Sequence, residues 1–326
     1  MPVLVFNMVE KKKKILVGGQ AVIEGVMMRA PGAYATSIRR ADGTIETERH
    51  EFQSILERHK FLNIPVLRGI IALFETLKIG IGTLQWSADK SMEDIEPDKA
   101  DSKPGTLAKA GTLFFSLTVG IGIFFVLPLT VTTKFFEIEK DAISFNLVSG
   151  AIRITLFLGY IGAISLIDDI KTLFKYHGAE HKMIFAFEGG RQLLPSEAKK
   201  FIRFHPRCGT SFLLIVMLVS ILVFAVIDSI IIKYVGTITL GIRLLSHLPM
   251  IPFVAGLGYE AIKLSGRYGS TSIGRVLVAP GLWLQRMTTK EPDDMQLEVA
   301  ATALQSALGE NYEKYIGDEY EADTVQ

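Results

Sequence analysis

The sequence predicts an α-helical multi-pass membrane protein, with about four transmembrane helices, one interfacial helix and a small β-rich N-terminal cytoplasmic region. Apolar residues make up 49% of the 326-residue chain, yet charged residues still make up 21%. The mean hydropathy is +0.33. This mixture is typical of long apolar segments separated by charged soluble segments. Several stretches also reach the length of about 20 residues that a helix needs to cross a hydrocarbon core.

Four stretches are long and apolar enough to cross a bilayer. They are residues 111–133, 142–167, 209–232 and 234–262. The second contains Arg153 and the third contains Asp228. The fourth contains Arg243, and its prolines Pro249 and Pro252 predict a kinked or broken helix.

The charges within these spans allow two interpretations. Charged side chains at membrane depth usually pair or face a polar cavity. Asp228 paired with Arg153 and Arg243 is therefore one hypothesis. In the other, each side chain extends along its span to reach the headgroups.

The predicted organisation has five parts. Residues 1–62 form the β-rich cytoplasmic region, 63–86 the interfacial amphipathic helix, 87–106 an acidic linker, 107–265 the membrane domain with a cytoplasmic loop at 168–208, and 266–326 a cytoplasmic C-terminal segment with a helix at 292–308. Alternating residues on both sides of Ala41, Asp42 and Gly43 predict a β-hairpin in the first part.

The interfacial helix is predicted from a one-sided polar stripe. Residues 64–84 are apolar apart from Arg68, Glu75 and Lys78, which fall on one side of a helix. This pattern is typical of a helix that lies in the membrane interface. An amphipathic core helix of a soluble domain would show the same pattern, and a spanning helix also stays open.

Lysine and arginine orient the spans. The loop between the second and third spans is rich in both, whereas residues 134–141 carry only Lys134 and Lys140. Because basic loops stay in the cytoplasm, the loop at 168–208 should lie there. Four spans then put both termini in the cytoplasm, as the basic tract from Lys11 to Lys14 also indicates.

The cytoplasmic loop contains a candidate metal site. On a helix, His177 and His181 lie one turn apart on the same face and can share a divalent ion, with zinc as the metal expected. Glu180 lies beside them as a candidate catalytic base. This is the H-x-x-E-H order of inverted zinc peptidases.

A third ligand must come from another part of the chain. The best candidates are His205 and Cys208, since imidazole and thiolate are both good zinc ligands. A short helix at 196–203, with Pro195 at its start, could fold the chain back. Asp168, Asp169, Glu188 and Glu260 are further carboxylates to consider. In the alternative interpretation, the histidines are ordinary interfacial residues and Gly178 weakens the helix by about 1 kcal/mol relative to Ala.

Several sequence motifs resemble the bacterial YqhQ-type family. They are GGQAVIEGVMMR (18–29), HGAEH (177–181), HPRCGTSF (205–212), PGLWLQR (280–286) and EPDD (291–294). The family is a domain of unknown function described as membrane proteins and predicted metal-dependent enzymes. The resemblance implies a multi-pass protein of the bacterial inner membrane, and it supports the metal site without implying a particular reaction.

The leading functional hypothesis is a membrane-anchored, metal-dependent hydrolytic enzyme, with a peptide or a lipid-derived substrate. The alternative is a non-enzymatic scaffold that binds a protein partner through residues 18–32. A transporter is a third possibility, although no inverted repeat is visible. The net charge of +1 gives no reason to expect a nucleic acid partner, and a single cysteine excludes an intrachain disulfide.

Overall fold

The computed structural model describes residues 13–95, 105–267 and 271–322, and most of these are helical. The strands are β1 (Lys13–Ile15), β2 (Gly18–Val22), β3 (Gly25–Ala30), β4 (Ala33–Arg39), β5 (Ile45–Glu51) and β6 (Tyr320–Ala322). The helices are α1 (Ile55–Arg58), α2 (Leu67–Ile95), α3 (Thr106–Ile121), α4 (Leu127–Phe135), α5 (Ala142–Ile164), α6 (Asp168–Glu188), α7 (Pro195–Ala198), α8 (Gly209–Val235), α9 (Leu240–His247), α10 (Ile251–Arg267), α11 (Ser272–Thr288), α12 (Asp294–Leu308) and α13 (Tyr312–Tyr315).

Four helical stretches among the described residues are long and apolar enough to cross a membrane. They are Leu107–Phe135, Ala142–Ile164, Gly209–Val235 and Leu240–Leu264. They agree with the four predicted spans, and α2 is not among them. Helix α8 packs against α5, α10 and α11. Four long apolar helices and a small N-terminal sheet therefore confirm the predicted fold class at this coarser level.

Two of the apolar stretches are irregular. The first contains a π-helical turn at Gly122–Val126, between α3 and α4. The last is interrupted by a 3₁₀ turn at Leu248–Met250, between α9 and α10. This interruption confirms the break predicted from the two prolines, since proline removes a backbone donor and disrupts the α-helical hydrogen bonding.

The N-terminal sheet is an antiparallel meander of β2, β3, β4 and β5. The amide nitrogen of Arg40 donates to the carbonyl oxygen of Thr44 at 2.9 Å, and Gly43 has a φ of 86°. The predicted hairpin is thus confirmed. Strand β1 pairs in parallel with β6, which brings the beginning and the end of the described chain together.

Helices cover both faces of the sheet. Helices α6 and α12 pack with Val26, Met28 and Ala35 on one face. Ile79 of α2 packs with Val22 and other residues of the opposite face. The N-terminal sheet, the segment between the second and third apolar stretches, and the C-terminal segment therefore share one hydrophobic core.

Two of the three polar side chains in the predicted stripe of α2, those of Arg68 and Glu75, contact protein, which corrects the expectation of a stripe open to water. Ser54 Oγ donates to Glu75 Oε2 at 2.8 Å, and the side chain of Glu75 is buried. The guanidinium of Arg68 pairs with Glu260 of α10. Of the three polar residues only Lys78 is exposed, whereas the apolar side chains of Phe74 and Leu77 are exposed.

The predicted acidic linker is also wrong over its first part, since α2 continues to Ile95. Its acidic side chains have basic partners on folded elements: Asp94 Oδ1 lies 2.7 Å from Arg40 Nη2. Ser87 Oγ accepts from the amide nitrogen of Ile23 at 3.2 Å. These contacts stabilise helix where composition alone indicates a solvated segment. Residues 96–104 of the predicted linker lie outside the described residues, as do Lys11 and Lys12 of the basic tract.

The region predicted as a loop at 168–208 is largely structured. Helix α6 occupies its first half, and much of this helix is buried. The predicted returning helix at 196–203 is shorter than expected, because α7 covers only Pro195–Ala198. At the C-terminus, α12 agrees with the predicted helix, and Asp293 caps it.

The charges in the apolar stretches are only partly paired as expected. Arg243 Nε lies 2.9 Å from Asp228 Oδ2, and both side chains are fully buried. His247 Nε2 and Asn146 Nδ2 contact the same carboxylate, each at 2.8 Å. Arg153 is not part of this group. It donates to the carbonyl oxygen of Phe124 and to a serine hydroxyl.

Candidate metal centre

Helix α6 presents three of the predicted site residues together. The ring centroids of His177 and His181 are 4.5 Å apart. Glu180 Oε2 lies 3.5 Å from His181 Nε2 and 4.0 Å from His177 Nε2. The spacing of one helical turn therefore brings these side chains to one face, as the sequence predicts.

Gly178 allows this part of α6 to approach the chain that precedes α12. A Cβ atom at this position would lie 2.1 Å from the carbonyl oxygen of Lys290. The amide nitrogen of Lys290 donates to the carbonyl oxygen of Phe174 at 2.8 Å. The glycine thus has a packing role that compensates for its cost to helix stability.

Cys208, the residue before α8, completes a group of three potential ligands. One donor atom from each of His177, His181 and Cys208 lies within 4.8 Å of the other two. Cys208 Sγ is 3.2 Å from His177 Nε2. A tetrahedral zinc ion needs donor separations of roughly 3–4 Å, so the widest separation would have to shorten by roughly 1–2 Å.

Backbone carbonyls fix the orientation of both imidazole rings. His177 Nδ1 lies 2.8 Å from the carbonyl oxygen of Thr288, and His181 Nδ1 contacts the carbonyl oxygen of Arg203. Because a carbonyl only accepts hydrogen bonds, each Nδ1 carries the hydrogen. In the neutral ring, Nε2 then presents its lone pair to the centre, as in histidines that bind metals.

His181 Nε2 is an atom of the centre that lacks a hydrogen-bond partner in the described part of the chain. It is buried and makes no hydrogen bond within the described residues, although Glu180 Oε2 is 3.5 Å away. A buried polar atom without a hydrogen bond is costly. A metal ion between the three donors would satisfy this atom, so the residues present fit a zinc ion.

His205 lies beside this group without belonging to it. Its ring centroid is 5.4 Å from that of His181. Its Nε2 lies 3.3 Å from Arg207 Nη2 and 4.0 Å from Glu188 Oε2. The sequence left His205 and Cys208 as alternatives for the third ligand, and the geometry favours Cys208.

The other candidate carboxylates lie elsewhere. Asp168 is exposed and pairs with Lys171, and Asp169 is exposed. Glu188 Oε1 contacts Arg207 Nη2 at 2.6 Å. Glu260 pairs with Arg68.

The electrostatics of the centre couple His177 to Cys208. Burial lowers the pKa of His177, but the charge of the Cys208 sulfur and its hydrogen bond outweigh burial and raise that pKa to about 9. Burial raises the pKa of Cys208, but the charges of His177 and His181 and the hydrogen bond from His177 outweigh it and hold that pKa well below its ordinary value. Both directions favour a thiolate at Cys208 and an imidazolium at His177.

Burial acts on Glu180 and His205 in opposite directions. It raises the pKa of the Glu180 carboxyl, and the two histidines of the centre partly offset this rise. It also lowers the pKa of His205, and the charges of His181 and Arg207 lower it further. His205 is thus neutral in the folded protein at neutral pH.

A cavity of about 190 Å³ opens beside the donor atoms. It is lined by Leu16, Val17, Gly18, Gly19, Met27, Arg29, Thr76, Ile79, His177, Glu180, His181, Ile184, His205, Arg207, Cys208 and Gly209. Strand β2 forms the wall next to α6. A Cβ atom at Gly19 would lie 2.8 Å from Cγ of Glu180, so only glycine fits here. The glycine-rich N-terminal motif and the histidine motif thus meet at one cavity.

Sequence reasoning missed the groups that support the centre. Gln285 Oε1 accepts from the amide nitrogen of His205, and Gln285 Nε2 donates to its carbonyl oxygen, each at 2.7 Å. Gln285 belongs to the PGLWLQR motif, so the sequence did mark the segment that contains it. The carbonyl groups of Thr288 and Arg203 could not be predicted as partners, because every residue has a backbone carbonyl.

Comparison with known proteins identifies the family. Residues 64–310 match the family model described as "Protein of unknown function (DUF1385)". The chain belongs to this family. It is 33% identical over 305 residues to the "Uncharacterized protein YqhQ" of Bacillus subtilis (strain 168), a match that covers 89% of this chain and 92% of the relative. No solved structure matches the chain.

Membership of this family confirms the YqhQ-type resemblance. The matched region includes α6, Cys208, α11 and α12, which together form the candidate centre. The family description names no activity. Metal dependence and hydrolysis therefore stay predictions.

Proposed function

We propose that this protein is a metal-dependent hydrolase of the bacterial inner membrane, with a zinc centre on the cytoplasmic face. One observation carries the proposal. His177, His181 and Cys208 bring three donor atoms within 4.8 Å of one another, beside a buried carboxylate and an open cavity. Two imidazoles and one thiolate are a ligand set that zinc prefers, with a fourth position left for a substrate.

Each residue of the centre has a distinct role in this proposal. When bound, zinc would supply Lewis-acid polarisation of a substrate carbonyl or phosphoryl oxygen. The carbonyl groups of Thr288 and Arg203 hold the two imidazole rings by hydrogen bonds at Nδ1. Glu180 accepts a proton from an attacking water molecule in the cavity and returns it to the leaving group.

The membrane arrangement rests on the shared core. The N-terminal sheet, α6 and α12 pack together, so all three lie on the same side of any bilayer that the four apolar helices cross. This condition is met when the chain crosses the bilayer an even number of times between the sheet and α6, and again between α6 and α12. A further crossing by α2 would separate the sheet from α6, so α2 is proposed as an interfacial helix. The basic residues between the second and third stretches favour the cytoplasmic side.

The experiment that tests the proposal is a measurement of zinc stoichiometry. The full-length protein is purified in mild detergent without chelators, and zinc is measured by mass spectrometry for wild type, His181→Ala and Cys208→Ser. We expect about one zinc ion per chain in the wild type and a large loss in both variants. His59→Ala is the matched control, because His59 is exposed and distant in sequence. Zinc-free wild type would contradict the proposal.

The scaffold alternative has less support from the structure. Most of residues 18–32 form β2 and β3, and the side chains of Val22, Val26 and Met28 are fully buried. The exposed residues of this segment are Gly19, Ile23, Glu24, Pro31 and Gly32. Packing within the sheet and a position in the cavity wall are sufficient reasons for the glycine-rich motif in this segment.

A further inference from the structure

The cavity beside the candidate centre has two cationic side chains in its lining. Arg29 of β3 and Arg207 both line it, together with Glu180. Arg207 is held in place by Glu188, whose Oε1 lies 2.6 Å from Arg207 Nη2 and which does not line the cavity. The guanidinium carbon of Arg29 lies 4.5 Å from the ring centroid of Phe52. Neighbouring side chains thus orient both guanidinium groups.

The start of α8 adds a further positive contribution. Gly209, its first residue, lines the cavity, and the preceding Cys208 makes no side-chain cap. The amino end of a helix carries a partial positive charge and uncapped amide groups. Glu188 offsets the charge of Arg207, and Glu75 and Glu57 act electrostatically on Arg29, so the excess of positive charge in the cavity depends on the divalent ion of the proposed centre. With that ion bound, the metal, the two guanidinium groups and the helix end would offer several contacts to an anionic ligand.

The rest of the lining is apolar and leads toward α2. Leu16, Met27, Ile79 and Ile184 are among the apolar side chains that line the cavity. Thr76 of α2 also lines it, next to the exposed side chains of Phe74 and Leu77. A volume of about 190 Å³ accommodates a small charged group with only a short apolar part. A longer hydrocarbon chain would have to continue outside, along the apolar face of α2.

We propose that this cavity binds the phosphate group of an amphiphilic phosphate ester, with Arg29 and Arg207 as its cationic contacts. Two guanidinium groups from separate elements line the cavity, and the metal of the proposed centre would add a third cationic group. A phosphate ester offers several terminal oxygens to such a set, and guanidinium matches phosphate geometry well. A carboxylate offers only two. This inference names the substrate class of the proposed hydrolase and rests on that proposal, because the metal is one of the three cationic groups.

The test is binding of orthophosphate and of hexyl phosphate to the full-length protein in phosphatidylcholine nanodiscs, measured by calorimetry at constant ionic strength. We expect binding by wild type, and dissociation constants raised about tenfold or more in Arg207→Gln and in Arg29→Gln, since a charge-assisted hydrogen bond is lost. Arg191→Gln is the matched control, because Arg191 is exposed and does not line the cavity. Its affinity should equal that of wild type.

A second arm identifies the source of the ester. Hexyl phosphate binding is repeated in nanodiscs that also contain phosphatidic acid. Competition by the lipid assigns the cavity to a membrane phospholipid, and unchanged binding assigns it to a soluble ester; both outcomes support a phosphate ester site. No binding by wild type, or equal affinity of wild type and Arg29→Gln, overturns the proposal.

The two proposals can fail separately. Arg29→Gln leaves the Glu188 contact intact, so it stays informative if Arg207→Gln does not fold. Zinc content is measured on the same samples. Arginine-dependent phosphate binding by a zinc-free protein would reject the metal centre alone, and zinc binding without phosphate binding would reject the phosphate site alone.

Discussion

Cys208 Sγ lies 3.2 Å from Nε2 of His177, although 31 positions separate the two residues. The contact depends on Gln285 of α11, which makes two hydrogen bonds to the backbone of His205 and one to Ser211 Oγ at 3.0 Å. The turn before α8 is therefore fixed against α11, and α11 ends at Thr288, whose carbonyl oxygen holds His177. One connected set of contacts brings the potential ligands together.

Replacing Gly178 with alanine should destabilise the centre. The added Cβ would lie 2.1 Å from the carbonyl oxygen of Lys290, which is backbone and cannot move without shifting the chain before α12. We expect Gly178→Ala to lower the free energy of unfolding by about 1–3 kcal/mol, as overpacking does. Unfolding in detergent by denaturant measures this change.

The control for this prediction is Gly82→Ala. Gly82 also lies in a helix, and a Cβ there meets no atom within 4 Å. Alanine should therefore be neutral or slightly stabilising at Gly82, because it is the better helix former. Equal effects of the two substitutions would mean that the close approach at Gly178 does not matter.

Topology reporters test the membrane arrangement. A reporter fused after Gly189, the residue that caps α6, should report the cytoplasm, since the adjoining loop is basic. One fused after Glu139, between the first and second apolar stretches, should report the outside. The opposite pattern at both positions would reject the proposed orientation, and a cytoplasmic signal at both would reject the first two crossings.

The buried ion pair predicts a specific pattern of rescue. Asp228→Ala leaves Arg243 buried without its carboxylate partner, and breaking such a pair costs about 3–5 kcal/mol. Asp228→Ala combined with Arg243→Ala should recover much of the thermal stability. Asp228→Ala combined with Arg153→Ala should not, because Arg153 contacts Phe124 and Ser220 instead. Rescue by both double variants would contradict this pairing.

The sequence predicted the parts of the structure that depend on local patterns. The apolar stretches, the hairpin and the pairing of His177 with His181 all follow from helix or strand periodicity. The choice between His205 and Cys208 could not be made, since it depends on Gln285, which lies 80 positions from His205. The family resemblance supplied the motif but not its contacts.

The predicted linker failed for a different physical reason. Acidic residues such as Asp94 look solvated when composition alone is considered, but Arg40 on the hairpin pairs with Asp94 and extends α2. The polar side chains of α2 were mispredicted for the same reason, because Glu75 has Ser54 as a buried partner. Tertiary partners of charged residues cannot be deduced from periodicity.

X-ray absorption at the zinc edge of the purified protein tests the metal centre most directly. The account predicts one sulfur neighbour at about 2.3 Å and nitrogen neighbours at about 2.0–2.1 Å, with the sulfur signal lost in Cys208→Ser. A spectrum without a sulfur neighbour, or one that is unchanged in Cys208→Ser, would contradict a centre built from His177, His181 and Cys208.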